Sequence, residues 1–172
     1  MSYPFFAGTL VALLVAPIHA EPKTTELSLK SLQKMSTCEL EALYRAGTIF
    51  EPKQGFHEAR AFPKPDSQFP VWRSELLNLV WKGKHLYPEQ GFMLNQVGKK
   101  QIVQAEISKD VSWLDGKPSV IFDYANGPKW ASKARDEVRQ IAPGLFLGIM
   151  YLRDCPCPKQ KMYFALQECA CN

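Results

Sequence analysis

Five cysteines are the residues whose type and spacing point most directly to chemistry. Four of them form two Cys-x-Cys motifs, Cys155 with Cys157 and Cys169 with Cys171. Because thiolates are good ligands for zinc and copper, these motifs could indicate a metal site. Most structural zinc sites, however, separate paired cysteines by two to four residues, and an intervening strand would hold these two pairs about 20 Å apart. In an exported chain disulfides or inert thiols are the expectation, and all five cysteines are disulfide candidates. One bond from Cys38 to Cys169 or Cys171 would tie the N-terminal helix to the barrel, and the odd count leaves at least one thiol free or paired between chains. A metal or redox protein built on the pairs is the alternative hypothesis, and no metal site is assigned.

A second group of residues combines charge with aromatic side chains on predicted strands. An arginine that faces the inside of a barrel must be paired or must meet an anion, and its guanidinium matches a ligand carboxylate. Alternatively, Arg135, Glu137 and Arg139 form an ion ladder on an outer face, which satisfies the charges without a ligand. The candidate ligand-binding residues are Trp81, Lys84, Asp123, Tyr124, Arg135, Glu137 and Arg139.

An enzyme on the same scaffold is an alternative hypothesis. Asp123 or Glu137 would act as the acid or base beside Tyr124, provided that the carboxylate lines a cleft. The sequence contains no Gly-x-Ser-x-Gly elbow and no glycine-rich phosphate loop. After the first twenty residues it contains two histidines, His57 and His85, and neither has a spaced partner. No catalytic residue and no cofactor is therefore assigned.

Two helices are expected to accompany the strands. Ser36 and Glu39 have the spacing of a capping box, which begins a helix that ends at Gly47 as its C′ residue. Residues 71–81 are predicted to form a second, shorter helix with apolar side chains on one side. The capping box is a structural motif and carries no chemistry.

Short strands dominate the rest of the chain. Apolar and polar residues alternate in 101–108 and in 118–124, which is typical of strands with one buried face. Residues 55–62 are predicted as an edge strand ended by Pro63, and residues 130–141 fit a helix as well as a strand, with a strand at 138–141 favoured. The sum is seven or eight strands in meander order, which predicts a mainly-β antiparallel barrel with N-terminal helices. The other predicted strands are 91–97, 145–152 and 161–166.

Residues on these strands resemble a bacterial family of small β-barrel domains of unknown function. That family is marked by a G-x-W-x-G signature and is similar to the calycins, the lipocalin-type barrels. Trp81-Lys82-Gly83 matches the second half of the signature and Lys84 follows it, whereas Leu79 stands in place of the first Gly. The resemblance covers roughly residues 45–167 and implies a calycin-like barrel able to hold one small apolar ligand. Its other motifs are Asp123-Tyr124, Arg135 to Arg139, Leu147-Gly148 and Tyr163 to Leu166.

The first twenty residues have the composition of a cleavable signal peptide. Residues 5–16 form an unbroken run of small and apolar residues, Pro17 ends the run, and Ala20 precedes the proposed cut. The run is shorter than the about 20 residues that span a bilayer. We therefore expect export to the periplasm or the extracellular space, with no stable membrane insertion after cleavage. The expected organisation is a signal peptide (1–20), a lead-in and helix (21–50), a barrel (51–168) and a cysteine-containing tail (169–172).

The charge of the chain argues against a nucleic-acid partner. The net charge is +4, and basic residues alternate with acidic ones instead of forming a dense basic stripe. The interpretation that follows is an exported barrel that binds a small apolar or amphipathic molecule. Arg135 and Arg139 are expected near the mouth of this barrel.

Overall fold

The computed structural model describes residues 27–63 and 78–169, and the proposed signal peptide and Cys171 lie outside these ranges. Eight antiparallel strands form a closed barrel, in which each strand pairs with the next along the chain and the last pairs with the first. The predicted mainly-β antiparallel barrel is therefore confirmed. The strands are β1 (Gly55–Pro63), β2 (Trp81–Tyr87), β3 (Phe92–Val97), β4 (Lys100–Val111), β5 (Pro118–Asp123), β6 (Ala134–Ala142), β7 (Leu145–Leu152) and β8 (Lys159–Glu168).

Two short helices lead into the barrel. The predicted capping box of the second helix is confirmed, because the Glu39 N–H donates to Ser36 Oγ (3.3 Å) and the Ser36 N–H donates to Glu39 Oε2 (2.7 Å). This helix ends at Gly47 as predicted, but with φ −65° instead of the left-handed conformation common there. Glycine fits because a Cβ would lie 3.0 Å from the Cβ of Arg139. The helices are α1 (Leu29–Leu32) and α2 (Thr37–Ala46), and a 3-10 turn spans Pro88–Gln90.

The barrel has an apolar inner face and an outer face that is partly covered. Residues on a strand alternate between these faces, so Ala134 and Val138 of β6 belong to the inner core, whereas Arg139 lies beneath α2. α1 packs on β8, and α2 packs on β6 and β7. Large inner residues are Trp81, Leu86, Met93, Phe122, Tyr124, Phe146 and Phe164. Residues buried on the covered outer face include Leu32, Leu40, Tyr44, Leu147, Ile149 and Tyr163.

Three predictions about individual elements, two strands and one helix, have distinct outcomes. β1 is not an edge strand, because it pairs with β2 on one side and with β8 on the other when the barrel closes. The favoured strand at 138–141 is confirmed, since β6 covers it. Of the helix predicted over 71–81, residues 71–77 lie outside the described ranges and 78–80 are helical, but Trp81 begins β2. Within the described residues, no helix has the length and apolarity needed to cross a bilayer.

Candidate functional site

A buried lysine lies inside the barrel and is held by three oxygen atoms. Lys84 Nζ donates to Tyr124 Oη (2.7 Å) and to Asn95 Oδ1 (3.0 Å), and it forms an ion pair with Asp136 Oδ2 (3.0 Å). The exposed fraction of the side chain is 2% for Lys84 and 6% for Asp136. A buried charge is costly unless it is paired and hydrogen-bonded, and this geometry meets both conditions.

Further hydrogen bonds join this ion pair to its neighbours. Trp81 Nε1 donates to Asn95 Oδ1 (3.0 Å), and Tyr124 Oη donates to Asp136 Oδ2 (3.0 Å). Asn95 Nδ2 lies 3.2 Å from Tyr124 Oη. These five residues, Trp81, Lys84, Asn95, Tyr124 and Asp136, are called the interior network below.

A β-bulge on β2 places two members of the interior network on the same face. Trp81 and Lys84 are three residues apart, so simple alternation would point them to opposite faces. The register between β2 and β3 shifts between Trp81 and Gly83, and this extra residue turns both side chains inward. Gly83 is needed at the bulge because a Cβ there would lie 2.0 Å from the carbonyl oxygen of His57 on β1. The Trp-x-Gly motif thus has a geometric explanation.

A second bulge supports the interior network from β4. The register between β3 and β4 shifts between Leu94 and Asn95, which leaves Val103 as the extra residue. Val103 has φ +58°, a conformation that costs a β-branched residue free energy. Asn95 Nδ2 donates to the Val103 carbonyl oxygen (3.0 Å) and so satisfies the backbone at this strained position. Strain of this kind tends to collect near functional sites.

Aromatic rings surround the Lys84 ammonium. The ring centres of Trp81, Phe122, Tyr124 and Phe164 lie 5.3–5.4 Å from Nζ, within the range of cation–π attraction. Phe164 reaches this position because its cross-strand partner is Gly148, where a Cβ would lie 2.2 Å from the ring. The interior network is therefore enclosed by apolar walls.

Burial shifts the protonation equilibria inside the barrel. It lowers the pKa of Lys84 from its usual 10.5, and the attraction of Asp136 opposes this effect. Burial, followed by the negative charge of Asp136, raises the pKa of Tyr124 well above 10. Tyr124 therefore keeps its hydroxyl proton at physiological pH and uses it to donate a hydrogen bond to Asp136.

A cleft opens next to the interior network, where β1 and β2 diverge. Its volume is about 250 Å³, and Trp81 forms part of its wall. Trp81 also donates a hydrogen bond to Asn95 Oδ1, which accepts another from Lys84, so this one residue links the cleft to the interior network. The other lining residues are Phe56, Glu58, Ala59, Arg60, Asn78 and Lys82.

Three of the charged candidates lie on the outer face instead. Arg135 forms an ion pair with Glu137 (Nε to Oε1, 3.3 Å), as the ladder interpretation predicts. Arg139 is fully buried and donates two hydrogen bonds, of 2.7 and 2.8 Å, to the Asp115 carboxylate. Its guanidinium carbon lies 4.5 Å from the centre of the Tyr44 ring. The expectation that Arg135 and Arg139 lie near the mouth of the barrel is wrong, because alternation along β6 turns Asp136 inward and its neighbours outward.

The carboxylates of the enzyme hypothesis are likewise turned outward. Asp123 accepts a hydrogen bond from Arg153 (2.6 Å), and it is paired in register with Arg135. Glu137 is fully buried, accepts hydrogen bonds from Ser112 Oγ (2.5 Å) and the Trp113 N–H (3.0 Å), and has a pKa raised by burial. Neither side chain lines the cleft or meets Tyr124, so this pair has no acid–base geometry.

The cysteines occupy separate exposed positions. Cys155 and Cys157 lie in the β7–β8 loop, whereas Cys169 follows β8 at the opposite end of that hairpin, and Cys171 lies outside the described residues. In the described ranges Cys38, Cys155, Cys157 and Cys169 are free thiols, called the four exposed cysteines below. Among the same residues, no group of three or more histidine, cysteine, aspartate or glutamate side chains is placed to hold a metal. A Cys38–Cys169 disulfide is absent here, and a bond to Cys171 stays a prediction.

The interior network contains two residues that the sequence analysis did not select. Trp81, Lys84 and Tyr124 were candidates and do converge, whereas Asn95 and Asp136 were not named. Asp136 has the same strand parity as the apolar Ala134 and Val138, which is a sequence signal for an inward carboxylate. Asn95 carried no such signal, because its orientation depends on the bulge opposite it.

Comparison with known proteins supports the fold and no more. No protein-family model and no curated protein matches the chain. A crystal structure of a protein from Thermomonospora curvata is similar, with a TM-score of 0.56 and 15% sequence identity. The match covers 81% of this chain and 93% of that protein. At this identity the likeness concerns the barrel architecture and assigns no site residue.

Proposed function

We propose that this barrel binds a small amphipathic molecule in the cleft beside Trp81. The observation that carries the proposal is that one residue, Trp81, both lines an open cleft and is hydrogen-bonded into the network around a buried ion pair. Pockets for small molecules combine apolar walls with a few fixed polar groups and perturbed pKa values. Of the ligand-binding candidates, Trp81 lines the cleft, and Lys84 and Tyr124 belong to the interior network behind it.

The lining of the cleft indicates the chemistry of the ligand. Phe56, Ala59 and Trp81 supply apolar surface, and Arg60 and Lys82 supply positive charge. Glu58 lies 3.5 Å from Arg60 and offsets one of these charges only in part. An apolar tail against Trp81 and an anionic head near Lys82 would satisfy both features. The cleft is smaller than the about 300–1,000 Å³ of typical pockets, which favours a short chain or one that is partly exposed.

The interior network supports a functional origin for this arrangement. A buried ion pair contributes little to stability compared with apolar residues of similar volume. Here the pair is accompanied by a valine with positive φ, a conformation that costs free energy, and by two bulges, which are common next to active sites. Binding that uses the adjacent wall gives these features a reason to persist.

Titration of the purified full-length protein with octanoate tests the proposal. We expect saturable binding, seen by native mass spectrometry and by a change in tryptophan fluorescence, and weaker binding of octan-1-ol, which lacks the charge. Arg60→Ala with Lys82→Ala should weaken octanoate binding by roughly two- to fivefold per charge, while octanol binding changes little. Lys99→Ala, a charge change outside the cleft lining, is the matched control. Equal octanoate affinity in the double variant and the wild type would refute the proposed site.

Export remains part of the proposal and has its own test. The apolar run of residues 5–16 and the small residue at position 20 support cleavage before Glu21. N-terminal sequencing of the protein recovered from the periplasm or medium is expected to begin at Glu21. A mature protein that retains Met1 would contradict the signal-peptide interpretation.

A further inference from the structure

One end of the barrel concentrates positive charge and carries the two most exposed large apolar side chains of the described residues. We propose that this end docks on the surface of a membrane that contains anionic lipids. Docking of this kind is peripheral and needs no membrane-spanning segment. The inference goes beyond the proposed function, because it concerns the outer surface of the barrel end and needs no ligand in the cleft.

The up-and-down topology gathers four connections at this end. Because consecutive strands are antiparallel, every second connection lies at the same end of the barrel. The connections after β1, β3, β5 and β7 therefore surround one opening, and a planar surface that approaches it meets them together. Their described parts, with the strand residues next to them, are called the basic end below and comprise residues 78–80, 98–99, 124–133 and 153–158.

The basic end has an excess of positive charge that the order of the chain conceals. Among the charged side chains that are not buried, it has eight basic and three acidic residues, whereas the other described parts of the chain have seven basic and eight acidic ones. Half-buried Arg153 and Lys161 belong to the eight. The six exposed cations are Lys82, Lys99, Lys100, Lys129, Lys133 and Lys159.

The acidic residues of the basic end neutralise only part of this charge. Asp123 is paired with Arg153 (2.6 Å), and Asp154 lies 3.8 Å from Lys133 and from Lys159. The third acidic residue is Glu106, which accepts a hydrogen bond from Asn126. The ion pairs within the described ranges leave three exposed lysines without an acidic partner, namely Lys99, Lys100 and Lys129.

Exposed apolar side chains accompany these lysines. Trp130, next to Lys129 in the chain, is 77% exposed, and Leu79, which precedes β2, is 68% exposed. Tryptophan is typical of the membrane–water interface, where its ring lies among the lipid headgroups. Stable attachment to a membrane takes two signals, and the basic end supplies both apolar surface and attraction to anionic headgroups.

The composition of the basic end fits a lipid surface better than a nucleic acid. Its exposed cations are lysines, and its one arginine, Arg153, already holds Asp123 and is not free to pair with a phosphate. Leu79 offers no ring on which a base could stack, whereas a leucine side chain gains free energy in the apolar part of a bilayer. We therefore assign the basic end to a membrane.

Partitioning of the purified full-length protein onto vesicles tests the inference. The vesicles are phosphatidylcholine alone or with about one-third phosphatidylglycerol, in about 0.1 M salt, where charges act over about 10 Å. Because the apolar run of residues 5–16 would bind either lipid in a chain that retains it, the readout is the ratio of the two partition coefficients. We expect a ratio of about a hundred, which falls towards one in about 1 M salt.

Two triple variants of equal charge compare the ends of the barrel. The basic-end variant changes to glutamine Lys99, Lys100 and Lys129. It should lower the ratio by about tenfold or more, since each lysine at an anionic surface contributes about fivefold. The control variant, at the opposite end, changes to glutamine Lys53, Lys109 and Lys117. It should lower the ratio by less than about threefold, because these side chains face away from the membrane.

Tryptophan fluorescence measures the apolar part of the contact. Emission of the wild-type protein should shift to the blue on vesicles with phosphatidylglycerol, and Trp130→Phe should remove most of this shift. Trp113→Phe is the matched control, because Trp113 lies in the β4–β5 loop at the opposite end, where Arg135 packs on its ring at 4.3 Å. An undiminished shift in Trp130→Phe would contradict the proposed orientation and overturn the inference.

The remaining outcomes are equally decisive. A wild-type ratio near one, or equal ratios in the two triple variants, would overturn the inference. An oligonucleotide that binds through the same three lysines, without binding of vesicles, would make the basic end a nucleic-acid site instead. The proposed function is judged separately, because the basic-end variant changes no residue of the cleft lining and should bind octanoate within about twofold of the wild type. If octanoate does not bind while partitioning behaves as expected, the cleft proposal fails and this inference stands.

Discussion

Removing one partner of the Lys84–Asp136 pair should destabilise the barrel far more than removing both charges. In Lys84→Met the Asp136 carboxylate stays buried and keeps the Tyr124 hydroxyl but loses its counter-ion. Breaking a buried pair in this way costs about 3–5 kcal/mol. For a domain of this size the melting temperature should fall by about 6–20 °C.

The double variant Lys84→Met with Asp136→Asn should recover most of that loss. Asparagine is close in volume to aspartate and can still accept a hydrogen bond from Tyr124, and methionine follows the path of the lysine stem. No uncompensated charge then remains inside the barrel. We expect a free energy of unfolding within about 1–2 kcal/mol of the wild type, and hence a coupling energy of about 2 kcal/mol or more between the two sites.

Urea unfolding of the four proteins of this cycle, followed by circular dichroism, measures the coupling energy. The exposed pair of Glu41 and Arg45 on α2, 2.8 Å apart, is the matched control and should give only about 0.3–0.5 kcal/mol. If the two interior substitutions are additive within about 0.5 kcal/mol, the ion pair does not act as described. A double variant less stable than both single variants would also refute the reasoning.

Three further predictions concern the elements around the site. Gly83→Ala should lower the free energy of unfolding by more than about 3 kcal/mol, because its Cβ would lie 2.0 Å from the His57 carbonyl oxygen. Gly91→Ala is the control and should lower it by only about 1 kcal/mol, because a Cβ there meets nothing within 4 Å and only the φ of +76° is unfavourable. Equal melting temperatures of the two variants would contradict this prediction. The hydrogen bonds from the Arg139 guanidinium lower the pKa of Asp115 from 3.8 to about 2. Because the folded state therefore favours the ionised carboxylate, this contact adds about 2 kcal/mol to the free energy of unfolding above pH 4, and the contribution is lost as the pH falls through 2. Acid titration of unfolding should show this loss in the wild type and a smaller one in Arg139→Lys. The four exposed cysteines of the reduced protein should all react with a thiol reagent without denaturant. A cysteine that reacts only after unfolding would contradict its exposed position in the structure.

The sequence specified most of the barrel because its periodicity is strong. Alternation located β4 and β5, and the continuous apolar run of β7 gave Leu145–Leu152 with the bounds that the structure has. The ambiguity over 130–141 arose because Ala134 and Val138 are four residues apart, a spacing that puts residues on one face of either element. Tertiary pairing with β5 and β7 decides it in favour of a strand.

The site was only half predictable, because bulges change which residues share a face. Trp81 and Lys84 were named from a motif, while alternation alone would have separated them. On β6 the same rule, applied from Ala134 and Val138, would have selected Asp136 over Arg135 and Glu137. Charge density drew attention to the arginines, but Arg139 contacts α2 and the β4–β5 loop, and Arg135 contacts the end of β4.

Two of the buried ion pairs among the described residues differ in what they join. On the outer face, Arg139 links the end of α2 to the loop that contains Asp115, two segments that no strand pairing connects, so its structural purpose is evident. Inside the barrel, Lys84 and Asp136 belong to strands that the closed hydrogen-bonded sheet already fixes. An apolar interior would close the same sheet without desolvating two charges. The closed sheet therefore gives the interior network no structural return of comparable size, and on the proposed function ligand binding in the cleft beside Trp81 supplies one.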